Sequence, residues 1–194
     1  MIAIIYLMRQ SQTEKARNHE RILDIAAARV RESGTVAPGV AEIMQTAGLT
    51  HGGFYKHFAS RDDLIAEAAE RAFAENRDAS AAVIAGADDP LAAFVDWYVS
   101  AEHRDDPASG CGVVALGGDA ARGDSRVRAA YTDQVKRYLG QLEQLFAGDG
   151  SEARREAAVA LCTLVGAVLV ARAVDDPVLS DEILYDVRAS VGAS

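Results

Sequence analysis

Residues 40–58 read VAEIMQTAGLTHGGFYKHF, and the fold turns on this stretch. Val40, Ile43, Met44 and Ala47 fall on one face of a two-turn helix, the spacing by which a short amphipathic helix buries one side. Gly48 follows, a residue that takes a left-handed turn without steric penalty, and Leu49 closes the corner. Thr50 stands where a side-chain oxygen caps the start of a second short helix, which ends in Phe54, Tyr55 and Phe58. Two short helices joined through a glycine turn form a helix-turn-helix, whose second helix enters the major groove while its apolar residues lock it to its neighbours. Thr50, His51, Gly52, Gly53, Tyr55, Lys56 and His57 are left exposed by this reading. Glycine inside a helix costs about 1 kcal/mol relative to alanine. At the front of a recognition helix, however, Gly52 and Gly53 let backbone N–H groups approach phosphates and base edges.

Upstream, Ile22, Ala26 and Val30 repeat at helical spacing between Thr13 and Ser33, with Leu23 and Ile25 beside them, and Gly34 sits where a glycine ends a helix. The opening octet MIAIIYLM is too short for a membrane span of about 20 residues. Residues 1–7 read as an upstream extension or tail, and residues 1–12 are expected to be flexible.

Charge divides the chain. The net charge of the 194 residues is −9, but residues 1–58 hold seven Lys and Arg against five acids, a balance of +2 that leaves −11 on the remainder. Three of the four histidines, His19, His51 and His57, also lie in the first segment, so only the N-terminal third suits a polyanion. With 49% hydrophobic and 25% charged residues the composition is that of an ordinary soluble globular chain, which excludes a disordered or collagen-like one. Cys111 and Cys162 are far apart, so a reducing, cytoplasmic setting is expected rather than a disulfide framework.

Asp-Asp-Pro occurs at 88–90, 105–107 and 175–177, and Asp at N-cap with Pro at N1 starts helices. Between these marks helices are predicted over 61–85, 90–103, 111–121, 125–147, 152–174 and 180–191, after 13–33, 40–47 and 50–57. No segment alternates with period two, and the fold class is all α. Residues 157–171 are apolar on every face. Fifteen residues span about 22 Å, short of the roughly 30 Å hydrocarbon core, so no membrane partner is expected. A helix apolar all round must be covered all round, which predicts a homodimer with Ala160, Val168 and Ala171 at a close-packed seam.

The run Ala47-Gly48-Leu49-Thr50 to Tyr55, then His57-Phe58 and Ser60-Arg61-Asp62-Asp63-Leu64, resembles the TetR/AcrR family of bacterial transcriptional repressors, and the resemblance is strong over residues 13–65. It implies a three-helix DNA-binding domain over 1–58 and a helical ligand-binding and dimerisation domain over 59–194. It makes Tyr55 and Lys56 phosphate contacts and His57 a backbone contact or helix anchor. Thr50, His51 and Gly53 become groove-facing, beside the side-chain-free Gly52, and Phe54 and Phe58 become core. Two departures matter: Val36-Ala37-Pro38-Gly39 replaces the usual Thr or Ser cap of the second helix, and Arg61 replaces a lysine while keeping its charge. The implied partners are a palindromic double-stranded operator and a small-molecule effector.

For that effector, the sequence offers Phe94, Trp97 and Tyr98 on one helix, Leu116 on the next, and Tyr131, Val135 and Tyr138 on a third, since aromatic faces with polar handles suit a pocket. Cys111 opens a helix, where the macrodipole favours a thiolate, and a thiol- or electrophile-sensing repressor is the alternative reading. Cys162 reads as inert packing. Gly110-Cys111-Gly112 follows no strand and is not a dinucleotide site. An enzymatic reading would pair Cys111 with His103, but no orienting acid and no metal-ligand spacing accompany them. Neither cofactor nor metal is expected.

Overall fold

The computed structural model describes residues 2–36, 39–146 and 150–191, with side chains from Gln12 onward. Among the described residues there are helices and turns and no strand. α1 (Ile2–Ser33) runs unbroken from Ile2, not from Thr13, so a helix occupies the segment expected to be flexible. The reason lies in composition, for neither Gly nor Pro occurs before Gly34. Gly34 ends α1 at φ +76°, its N–H donating to Val30 O at 3.0 Å. A side chain there is excluded twice, because a Cβ would also lie 2.6 Å from a carboxylate oxygen of Asp119.

α2 (Val40–Thr46) follows Gly39, which has no side-chain cap to offer; Ala37 and Pro38, in the departing entry, lie outside the described residues. Gly48 at φ +68° turns the chain, with Leu49 N–H on Met44 O at 2.8 Å. α3 (Arg61–Ala85) is capped by Ser60, whose hydroxyl accepts from Asp63 N–H at 3.1 Å, while the Asp63 carboxylate accepts from Ala59 N–H at 3.4 Å. This reciprocal cap fixes where α3 starts. Ile22, Leu23, Ala26 and Val30 of α1 pack with Ile43, Met44, Phe54, Phe58, Leu64, Ile65 and Ala68 in the core beneath the helix-turn-helix.

The remaining helices are α4 (Pro90–Tyr98), α5 (Ala101–Asp105), α6 (Gly112–Arg122), α7 (Ser125–Glu143), α8 (Gly150–Ala173) and α9 (Pro177–Val191). The single helix expected over 90–103 is two, because the Ser100 hydroxyl caps a new start by accepting from His103 N–H at 3.1 Å. Two of the three Asp-Asp-Pro triplets start helices: Asp89 accepts from Ala92 N–H, and Asp176 from Val178 and Leu179 N–H. At 105–107 the same triplet makes a turn instead, with both Asp106 oxygens on Ser109.

α8 is 24 residues long, and by length and composition alone it could cross a membrane. The length argument drawn from residues 157–171 therefore does not hold. Its inward face, Ala157, Leu161, Leu164 and Val168, belongs to the core of the fold. Ala160, Val168 and Ala171 also turn into this protomer, at 4%, 0% and 3% exposure, so they form no seam with another chain. An all-apolar helix does not reveal which side faces home, and its small residues serve the approach of α9, where Ser180 Oγ donates to Ala171 O at 2.8 Å. The outward face is Val159, Cys162, Leu169 and Val170, continued by Val178, Leu179 and Tyr185 of α9. Cys162 is exposed there rather than packed inside.

Polar contacts tie the two halves together. The Asp119 carboxylate of α6 accepts from Thr35 N–H at 3.0 Å, Arg126 of α7 pairs with Asp63, and buried Arg31 of α1 donates to Glu75 of α3 at 2.7 Å and to Ala108 O.

Candidate nucleic-acid interface

The recognition element is a 3₁₀ helix, His51–Lys56, rather than an α-helix. Two glycines in its first turn weaken α-helical closure, and Thr50, at the cap position, makes no side-chain cap. Phe54 is buried and stacks on Phe58 at 5.6 Å, which fixes the element to the core. With Phe54 inward, Thr50, His51, Gly52, Tyr55 and Lys56 face solvent, Tyr55 at 73% exposure. Gly53 and His57 were expected to be exposed and are half-buried. Gly53 sits over Met44, and His57 turns toward His19 of α1, with its Nδ1 buried and unpartnered among the described residues. A Cβ at Gly52 would meet nothing, so packing does not require glycine there.

Lys56 has no acidic partner among the described residues. Burial holds the His57 imidazole below its ordinary value, and the positive fields of His19, Lys15 and Lys56 lower it further. That places Lys15 in the basic patch, a residue the sequence reading counted as charge but assigned no contact. The available signal was helical spacing, since Lys15 lies one turn before His19, and His19 stacks on Phe58 at 4.6 Å. Arg61, expected among the DNA contacts, has its guanidinium donating to Thr35 O and Val36 O, each at 2.8 Å, which ties the loop after α1 to the start of α3. The exposed surface thus offers hydroxyls, the Lys56 ammonium and a stretch without side chains, the groups suited to phosphates and groove edges.

In the second half the structure does bring the sequence-predicted pocket residues together, but as a packed cluster. Phe94 lies 5.6 Å from Tyr98 and 6.3 Å from Tyr138, ring to ring. Phe94, Tyr98, Cys111, Leu116 and Tyr138 are closed to solvent, whereas Trp97, Tyr131 and Val135 are half-buried. The Tyr98 hydroxyl donates to Cys111 Sγ at 3.2 Å, and burial pushes both the Tyr98 and Tyr138 phenols well up. Cys111 stands at the N-cap of α6, but its thiol is enclosed rather than presented to solvent. His103 does not face its thiol: the imidazole Nε2 accepts the Cys111 backbone N–H at 2.8 Å, and the other ring nitrogen meets Tyr98 O. A nucleophile and base pair is not assembled.

Two buried carboxamides flank this cluster, and the sequence reading missed both. Asn76 is satisfied at each end, donating to Gly110 O and accepting from Gly112 N–H. Gln134, 1% exposed, is not. The Tyr138 phenol is close enough for the Gln134 amide to lower it, yet among the described residues no group meets Oε1 or Nε2 with full hydrogen-bonding geometry. Leaving buried polar groups unpaired costs roughly 1–3 kcal/mol each and calls for a reason.

Residues 22–68 match the family model described as bacterial regulatory proteins, tetR family. Over 162 residues the chain is 30% identical to an uncharacterised HTH-type transcriptional regulator of Mycobacterium tuberculosis, Rv0196, an alignment covering 79% of this chain and 83% of that protein. The fold is similar to a TetR transcriptional regulator from Chloroflexus aurantiacus J-10-FL, 22% identical, with a TM-score of 0.78 over 91% of this chain and 95% of that one. It is equally similar to a TetR-family regulator from Cytophaga hutchinsonii, 16% identical, with a TM-score of 0.78 over 92% and 96%.

Proposed function

Because the chain belongs to the TetR family of bacterial transcriptional regulators, we propose that it is a cytoplasmic repressor that binds a palindromic operator as a homodimer and lets go when a small molecule enters its C-terminal half. The observation that carries the DNA-binding part is the recognition element itself. Phe54 and Phe58 anchor it while Thr50, His51, Tyr55 and Lys56 stand free around Gly52. Basic Lys15 adds a phosphate contact from α1. The dimer uses the apolar outward face of α8 and α9, where Val159, Leu169, Val170, Val178 and Tyr185 are each 46–72% exposed on the single protomer. An apolar surface of this kind marks an interaction site, and a two-fold pair of recognition elements then meets successive major grooves about 34–36 Å apart. The buried polar core of the second half supports reversible effector binding over thiol sensing, since the Cys111 thiol is closed to solvent.

Selecting bound fragments from random duplex DNA, followed by footprinting, tests this reading. A two-fold symmetric site whose affinity falls steeply with salt is the expected result. Recovery of no preferred sequence, or of an asymmetric site bound by a monomer, would overturn it.

A further inference from the structure

α2 begins without help from its own sequence, because Gly39 stands at its cap position and has no side chain to offer the first N–H groups. The loop in front of it is held from outside instead. Thr35 is gripped on both sides, its C=O accepting from the Arg61 guanidinium of α3 at 2.8 Å and its N–H donating to the Asp119 carboxylate of α6 at 3.0 Å. The same carboxylate oxygen, Oδ2, would lie 2.6 Å from a Cβ on Gly34, so Asp119 is seated directly against the backbone of the turn. Arg61 opens α3 immediately after the recognition element, whereas Asp119 stands 84 residues beyond Thr35, on a helix of the second half. Leu116, one turn earlier on that helix, is closed inside the second core. Arg128 of α7 ties down its far end, donating to Ala120 O at 3.0 Å and to Ala121 O at 2.7 Å.

We infer that Asp119 is a positioning residue for DNA recognition, fixing from the second half the loop that sets where α2 starts. It acts through Thr35 rather than on DNA. From Thr35 the constraint passes to α2, where Met44 lies against Gly53 of the recognition element and its C=O accepts from Leu49 N–H at 2.8 Å. A carboxylate accepting a backbone N–H makes a stronger bond than a neutral acceptor does. Because Leu116 and Asp119 share one helix, a rearrangement of the second core displaces the carboxylate and lets go of Thr35. The inference rests on the reading of the chain as a DNA-binding repressor.

The test uses the full-length protein and its Asp119→Ala and Asp119→Asn variants. Asparagine keeps an oxygen that accepts from Thr35 N–H, so it is the conservative rescue. Hydrogen exchange at the Thr35 amide, measured without DNA, should be faster by about tenfold in Asp119→Ala and close to wild type in Asp119→Asn. Affinity for the selected operator should fall in the same order, by about tenfold for the alanine variant. Affinity for unrelated duplex and the salt slope should stay as in wild type, because Lys15, Tyr55 and Lys56 are untouched. Asp119→Ser, whose hydroxyl stops an atom short of the carboxylate oxygen, repeats the comparison should the alanine variant fold poorly. Equal Thr35 exchange in wild type and alanine variant, exchange raised equally throughout the core, or unchanged operator affinity would overturn the assignment. If the wild type selects no DNA sequence, the repressor reading falls and takes the positioning role with it. That failure is told apart from the others by the Thr35 exchange, which is read without DNA.

Discussion

The core under the helix-turn-helix and the core of the second half are built on opposite principles. The first is largely apolar: its core packs Ile, Leu, Ala, Val, Met and Phe, with polar burial kept to its margins, at Arg31 paired with Glu75 and at the His57 Nδ1. The second holds Asn76, Ser80, Gln134 and Ser180 at 5% exposure or less, together with the closed trio Tyr98, Cys111 and Tyr138. An apolar core packs into one arrangement and holds a recognition element rigid. A core with polar groups inside has hydrogen-bonding capacity to offer a ligand, and it loses stability wherever that capacity goes unused.

The largest effect should come from asking the second core to accept a full charge. Val168→Glu places a carboxylate at a position with no exposure, so the protomer itself should lose roughly 3–5 kcal/mol, read by thermal or urea denaturation. Val170→Glu, two residues away but 46% exposed, should leave the protomer folded and break only the dimer, seen by sedimentation. If Val168→Glu folds normally, the second core is far more permissive than its packing indicates. If Val170→Glu stays dimeric, the outward face of α8 is not the interface.

On the other side of the comparison, the rigid unit should behave as a fixed scaffold whose surface can be edited without disturbing it. Lys56→Ala should weaken binding to every DNA sequence and reduce the salt slope by about one unit, with unfolding unchanged. Tyr55→Phe should act in the same direction by less. Sequence-selective loss instead would place Lys56 on a base edge.

Legibility from sequence follows the same division. The first core was readable because Ile43, Met44, Phe54 and Phe58 are local in sequence, held in register by Gly48, and close to a family pattern. The position of Arg61 was legible but its partners were not, since its bonds to Thr35 and Val36 depend on a loop some 25 residues away. The helices of the second half could be placed, yet their facing could not. Ala160, Val168 and Ala171 sit on a helix without a polar side to orient it, and only the arrival of α9 decides which side is in. Gln134 carried no signal, since a glutamine on an amphipathic helix reads as surface until neighbouring helices close over it.

Gln134→Leu turns the polar feature of the second core into the apolar rule of the first. Without a ligand it should raise stability by about 1 kcal/mol, because an unpaired amide is exchanged for a side chain of similar volume. Destabilisation would mean that the amide has a structural partner after all. Each half also carries a histidine held below its ordinary value by burial, His57 in the first and His103 in the second. Below about pH 6.5 the unfolded chain takes up protons that these imidazoles refuse. Stability should therefore be intact above that pH and fall as pH drops toward the depressed folded values, by at most about 1.4 kcal/mol per pH unit for the more deeply buried His103 and by less for the better-solvated His57. His103→Gln should flatten this slope in the second half and leave the recognition element unaffected.

A small gain in stability should belong to Gly52→Ala, and it asks what keeps the rigid unit from being more rigid still. The added methyl meets nothing in the folded chain, and Gly52 is not among the residues with positive φ, so neither crowding nor strain opposes it. Removing a glycine from a helical turn should stabilise the fold by about 0.5–1 kcal/mol. If the glycine is there to let backbone approach DNA, the same variant should bind operator more weakly despite melting higher, because the methyl projects into the space the duplex fills. Stability and affinity moving in opposite directions would identify Gly52 as a contact made by the absence of a side chain. Stability rising with unchanged affinity would instead show that the DNA lies farther from the first turn, and that Tyr55 and Lys56 hold the element against the phosphates on their own.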